Sequence, residues 1–248
     1  FDRAKSSEGV RMNINKWNPS DIWMVRSDYD FKCIDDEKTL LGLNQCIQDQ
    51  LQKGKLIGIS LKKMQSGASL STKNVFGDMK VDKNYAGYEY SGKSIDAYVK
   101  LSGGTKIQFR SFGTGLGLTG FQGEVKGANA NQGKIGLGPT NMILRVHGFS
   151  QIPTNAASRV TSNPDSVFNE IAVGLKKYGR LTDKQIEEVR ENEKINTPKF
   201  LYSKLQATQL LDILESIRNK NVRDQLVEDL YLYASSQSRF SSAYYKLE

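Results

Sequence analysis

Two short apolar runs, each with polar chemistry at its edge, constrain this chain more than any other feature. Lys16-Trp17-Asn18-Pro19-Ser20-Asp21 leads into Ile22-Trp23-Met24-Val25, and Leu56-Ile57-Gly58-Ile59-Ser60-Leu61 runs into Lys62-Lys63. The Pro-Ser-Asp turn places Asp21 at the mouth of a strand. Alternation in the second run puts Ile57, Ile59 and Leu61 on one face and Gly58, Ser60 and Lys62 on the other. Residues 17–25 and 56–61 are both apolar enough to be buried strands, so they are expected as neighbours in one mixed sheet, with a helix over 36–53 flanking it. That helix takes Asp35 and Asp36 as cap and first-turn acids, repeats Leu40, Leu43, Ile47 and Leu51 at helical spacing, and stops at Gly54. If the strands pair, Asp21, Ser60 and Lys62 share one polar patch.

An acidic residue on one strand, followed on the next by an acid and a lysine two residues apart, is the pattern of the PD-(D/E)xK nuclease core. Residues 16–63 resemble it in Pro19-Ser20-Asp21 and in Ser60-Leu61-Lys62. The resemblance implies a Mg²⁺ held by Asp21 and a second carboxylate, with Lys62 stabilising charge on the phosphate. Ser60 departs from the pattern, because it stands where the second acid belongs, and a hydroxyl is a poor Mg²⁺ ligand. The substitution resembles the Ser-x-Lys variant of some restriction endonucleases. Either another acid compensates or the site is inactive. The whole chain also resembles proteins of large tailed bacteriophages, in residues 16–23, 59–63 and Gly120-Phe121-Gln122-Gly123-Glu124-Val125-Lys126-Gly127. That likeness implies a virion-associated role and a location in the host cytoplasm or the virion, with other virion proteins as partners.

Charge is distributed unevenly. Residues 1–160 carry 22 Lys and Arg against 14 Asp and Glu, whereas residues 161–248 carry 13 of each, so the whole net charge of +8 lies in the first stretch. A basic stretch favours a polyanionic partner, DNA or another nucleic acid, over a membrane, since no segment approaches the roughly 20 apolar residues that span a bilayer. Lys16, Lys63, Lys100, Arg110, Lys126 and Lys134 are the candidate nucleic-acid contacts.

Residues 65–150 are rich in Gly and Ser and read as strands with long loops, with candidates at 88–90, 95–101 and 106–112 and a hairpin turn at Ser102-Gly103-Gly104-Thr105. Alternation then gathers Lys100, Gln108 and Arg110 on a basic face. The glycines that follow do not make a phosphate loop: the interval from Gly127 to Gly133-Lys134 is one residue too long for a Walker A motif, and Ile135 replaces its Ser or Thr. Glu124-x-Lys126 supplies the acid-x-lysine pair that Ser60-x-Lys62 lacks. Glu124 therefore either pairs with Asp96 as a second such site or supplies the carboxylate missing beside Asp21.

Residues 161–248 read as helical. Pro164-Asp165 opens one helix, Thr182-Asp183 caps another, and apolar spacing from Leu205 to Leu230 describes a helical hairpin broken near 219–221. A last strand is expected over 243–247. With two cysteines, Cys33 and Cys46, and one histidine, no Cys/His zinc site is possible; a disulfide framework is not expected, and a reducing compartment follows. No secretory signal is visible, and His147 is read as structural.

The expected class is thus α/β (α+β): a basic, strand-rich, nuclease-like region over 1–160 with a mixed sheet and flanking helices, then a helical region over 161–248 packed on it. Three functions are compatible with the residues: a nuclease-like DNA-binding protein with Asp21, Ser60, Lys62 and Glu124 as its site, Mg²⁺ held by Asp21 and Glu124; a non-enzymatic virion-associated protein; and a nucleic-acid-binding module whose basic sheet tracks phosphates.

Overall fold

A computed structural model describes residues 1–7, 12, 14–61, 67–75, 83–90, 96–111, 121–127, 133–192, 197–235, 238 and 240–247. The elements in chain order begin with α1 (Asp2–Ser7), α2 (Ile14–Trp17), β1 (Ile22–Val25), α3 (Lys32–Asp36), α4 (Leu40–Gln52), β2 (Leu56–Leu61) and β3 (Leu70–Lys73). A second group of strands follows: β4 (Tyr85–Tyr90), β5 (Ala97–Leu101), β6 (Lys106–Ser111), β7 (Phe121–Lys126) and β8 (Lys134–Gly136). The helices α5 (Leu137–Val146), α6 (Ala156–Ser162), α7 (Pro164–Lys177), α8 (Asp183–Arg190), α9 (Pro198–Ser216) and α10 (Lys220–Ala234) come next, and β9 (Tyr244–Leu247) closes the chain. The fold is of mixed α/β content, as expected, and its strands form two sheets in place of the single mixed sheet anticipated.

Two compact units emerge, Phe1–Val81 with Gln237–Glu248, and Asp82–Ser236. The second is inserted in sequence between β3 and β9 of the first. The compositional seam near residue 160 falls within α6, inside the second unit.

In the first unit the sheet order is β1-β2-β9-β3. β1 runs antiparallel to β2, with Ile22 opposite Ile59 and Val25 opposite Leu56, and β2 runs parallel to β9. The two apolar runs are therefore neighbours in a mixed sheet, although the first strand covers only 22–25 of the expected 17–25, because Trp17 ends α2. The helix beside them is shorter than 36–53: Thr39, not Asp35 or Asp36, is the cap, its hydroxyl accepting the Gly42 amide, while 32–36 forms the separate α3. Gly54 stops α4 in the left-handed region at φ 63°. Leu40, Leu43, Ile47 and Leu51 are buried as the spacing predicts. Burial of both strands is corrected by the structure. β2 is buried on its Leu56, Gly58 and Ser60 face, but β1 is the edge strand and is exposed throughout, with Met24 at 56 %.

Cys33 and Cys46 form a disulfide, which corrects the expectation of two thiols. Their separation of 13 residues ties α3 to α4. Trp17, buried on the same unit, donates its indole N–H to Asn44 Oδ1 at 2.6 Å.

In the second unit β4 to β8 form an antiparallel meander in sequence order. Ala97, Val99, Leu101, Ile107, Phe109, Phe121, Val125 and Ile135 make its buried face. Gly123 belongs to that face because a Cβ there would stand 2.7 Å from both Ile135 and Phe109. α9 lies against β6 and β7 and is enclosed further by α6 and α7. A Cβ on Gly174 of α7 would come within 2.4 Å of Thr208 on α9, so the glycine sets how close those helices pack. The predicted helices at Pro164 and Thr182 appear, and the break expected near 219–221 falls at 217–219, with a capping box at Thr182 and Gln185 and an Asn219 cap on α10.

The disulfide carries a stability consequence. Closing a loop of this length contributes about 2–3 kcal/mol in the chain-entropy account. Reductant, or the double variant Cys33→Ser/Cys46→Ser, is expected to lower the first unit's stability by that amount in denaturant titration. Two thiols titratable in the native protein, or a melt indifferent to reductant, would remove the bond from the account.

Candidate nucleic-acid interface

The tight β5–β6 connection determines which polar side chains meet in the second unit. Gly103 and Gly104, at φ 71° and 75°, make the turn, and the Leu101 amide closes it on the Thr105 carbonyl at 2.8 Å. The register that results places Lys100 opposite Lys106, and the next pairing places Lys106 opposite Lys126. Three lysines thus stand side by side across β5, β6 and β7. One step along the strands, a second row runs Glu89, Tyr98, Gln108, Glu124 and Lys134 across β4 to β8. Arg110 opposite Gln122 continues the same face.

Directly opposed residues share a face about 4.5–5.5 Å apart at Cβ, and like charges so placed are destabilising. Two carboxylates offset part of this. Lys106 Nζ lies 2.7 Å from Glu89 and 5.7 Å from the Tyr98 ring centroid. Glu124 accepts from Arg110 through one oxygen and meets Lys126 at 3.1 Å through the other. Burial raises the Glu124 carboxyl, but the Lys126 hydrogen bond and the neighbouring cations outweigh it and hold the group below the usual carboxylate range. Ion pairs this exposed are each worth about 0–1 kcal/mol. Lys100, Lys106, Arg110, Lys126 and Lys134 against Glu89 and Glu124 leave these residues with three positive charges in excess.

Gln108 of this face bonds a buried ion pair that no sequence pattern indicated. Lys204, on α9 and 1 % exposed, bonds Asp96, whose other oxygen accepts from Gln108 Nε2 at 2.8 Å. Burial pushes the Lys204 ammonium below the ordinary lysine range despite the attraction of Asp96. Leu201, Leu205 and Leu210 give α9 an ordinary apolar repeat, so a lysine among them reads as an exposed position. Sequence reasoning also missed Lys106 and left His147 without a partner; its Nε2 stands 2.9 Å from Asp229 Oδ2.

Four of the six predicted nucleic-acid contacts, Lys100, Arg110, Lys126 and Lys134, therefore lie on one sheet face. Lys16 is in α2 of the other unit, and Lys62 and Lys63 fall outside the described residues. Asp21 stands at the mouth of β1, where its backbone N–H donates to the Ile59 carbonyl and its carboxylate accepts the Leu61 N–H at 2.7 Å. Continuing the register from Ile22 opposite Ile59 sets Asp21 across from Ser60. Ser60 is buried, and its hydroxyl has no hydrogen-bond partner among the described residues. Glu124 belongs to the second unit and Asp21 to the first. Asp96 and Glu124 are held one strand apart by the intervening Gln108, each engaged by a cation. Among the described residues no group of three or more His, Cys, Asp and Glu is placed to hold a metal.

Removing one partner of a buried pair strands the other charge, a loss of about 3–5 kcal/mol, while replacing both by apolar groups is far milder. Lys204→Met alone is expected to destabilise the second unit by that amount, and Lys204→Met/Asp96→Leu to recover most of it. Equal losses in the single and double variants by chemical denaturation would show that the pair is not coupled. No protein-family model, curated protein or solved structure matches the chain.

Proposed function

We propose that the protein binds nucleic acid through the β4–β8 face of the second unit. The row of Lys100, Lys106 and Lys126 carries the proposal. Opposed lysines weaken the free sheet, and a phosphate backbone laid across them converts that repulsion into attraction while releasing counterions. The paired carboxylate at Glu124 competes with the ligand for Arg110 and Lys126.

Binding of fluorescently labelled DNA, followed against salt, tests this. Lys100→Ala, Lys106→Ala and Lys126→Ala are each expected to weaken binding and to lower the slope of log K against log salt by about one. Glu124→Gln is expected to tighten binding. Unchanged salt slopes in all three lysine variants would overturn the proposal, as would weaker binding by Glu124→Gln.

A second reading, metal-dependent phosphodiester cleavage at the β1–β2 edge, draws support from Asp21 lying in register with Ser60 beside the Leu61 amide. It requires Mg²⁺- or Mn²⁺-dependent nicking of plasmid DNA that disappears in Asp21→Ala while DNA binding persists. Nicking that survives Asp21→Ala, or none with either metal, removes it.

A further inference from the structure

We infer that the ligand of the β4–β8 face is single-stranded nucleic acid, with one base stacked on Tyr98; this rests on the nucleic-acid reading above. Tyr98 is on β5, inside the face and not on either edge strand. Its ring is half-buried, directly opposite Gln108 and Glu89, so its neighbours across the sheet are flat or already neutralised. Cations surround it. Lys106 Nζ is 5.7 Å from the ring centroid, Lys100 is two residues along the same strand, and Arg110 is diagonal to it on β6. A base resting on the ring would have its flanking phosphates within reach of these three side chains.

Duplex DNA does not fit the same surface. The major groove admits a helix or a two-stranded ribbon. Five strands spaced at about 4.8 Å span roughly 20 Å, so a duplex could touch such a face only with its phosphates. Its bases, stacked and paired inside, could not reach Tyr98. An unpaired strand exposes a base π-face for the ring and leaves its backbone free to follow the Lys100–Lys106–Lys126 row. Stacking of this kind is tolerant of base identity, so the face is expected to show little sequence preference.

The protein is titrated with a single-stranded oligothymidylate of about 16 nucleotides and with a duplex of equal length. The single strand is expected to bind at least tenfold more tightly. Tyr98→Ala should weaken single-strand binding about tenfold without changing its salt slope, because no charge is lost, and should leave duplex binding unchanged. Tyr98→Phe should retain wild-type affinity. Tyr98→Trp keeps the ring and adds a reporter, whose fluorescence should be quenched by the single strand and not by the duplex. Tighter duplex binding, or equal losses for both ligands in Tyr98→Ala with folding intact by circular dichroism, overturns the single-strand inference while leaving the nucleic-acid reading standing. Absence of binding to either ligand overturns both.

Discussion

The first unit depends on a strand that arrives last. β9 lies between β2 and β3, parallel to one and antiparallel to the other, so the sheet has no continuous middle until residues 244–247 are in place. Ser242 anchors that strand. Its N–H donates to the Trp17 carbonyl at 2.9 Å, its hydroxyl accepts from Asn18, and its carbonyl accepts from Asn74 Nδ2 at 3.1 Å. Asn74 adopts φ 59° to do so and also accepts the Ser238 amide. Residues separated by more than 160 positions thus share one buried polar cluster. The second unit, contiguous in sequence, fills the interval. Closure entropy grows only with the logarithm of loop length, so an insertion of this size is tolerable thermodynamically, while the non-local pairing slows folding.

The second unit carries two arrangements that cost stability. Its buried face is apolar and interlocked, but its opposite face aligns lysines in register, and its core helix carries a buried lysine held by Asp96. Neither arrangement follows from packing. Gln108, in the row next to the lysines, bonds Asp96 and so links that face to the buried pair.

Much of this was legible from local pattern. The Pro164 and Thr182 helix starts, the break before α10, the hairpin at 102–105 and the adjacency of the two apolar runs all rest on signals spanning a few residues. The errors share a cause. Asp35 and Asp36 look like caps, but Thr39 lies nearer the first buried leucine and takes the role. Ile22-Trp23-Met24-Val25 is as apolar as a central strand, yet its position at the edge exposes it. Cys33 and Cys46 are paired because α3 and α4 bring their Cα atoms to 6.2 Å, a distance no spacing rule provides.

The sequence by itself determined where the chain turns helical or extended, which side of β5 and β6 is basic, and that the positive charge precedes residue 160, because these follow from periods of 2 and 3.6 residues and from composition. Only the tertiary structure decided that Lys126 joins Lys100 and Lys106 in one row, that Lys204 is buried against Asp96, and that Glu124 sits in a different unit from Asp21. Such neighbours are set by strand register and by helix packing across more than a hundred residues, and nothing in the local chain encodes either.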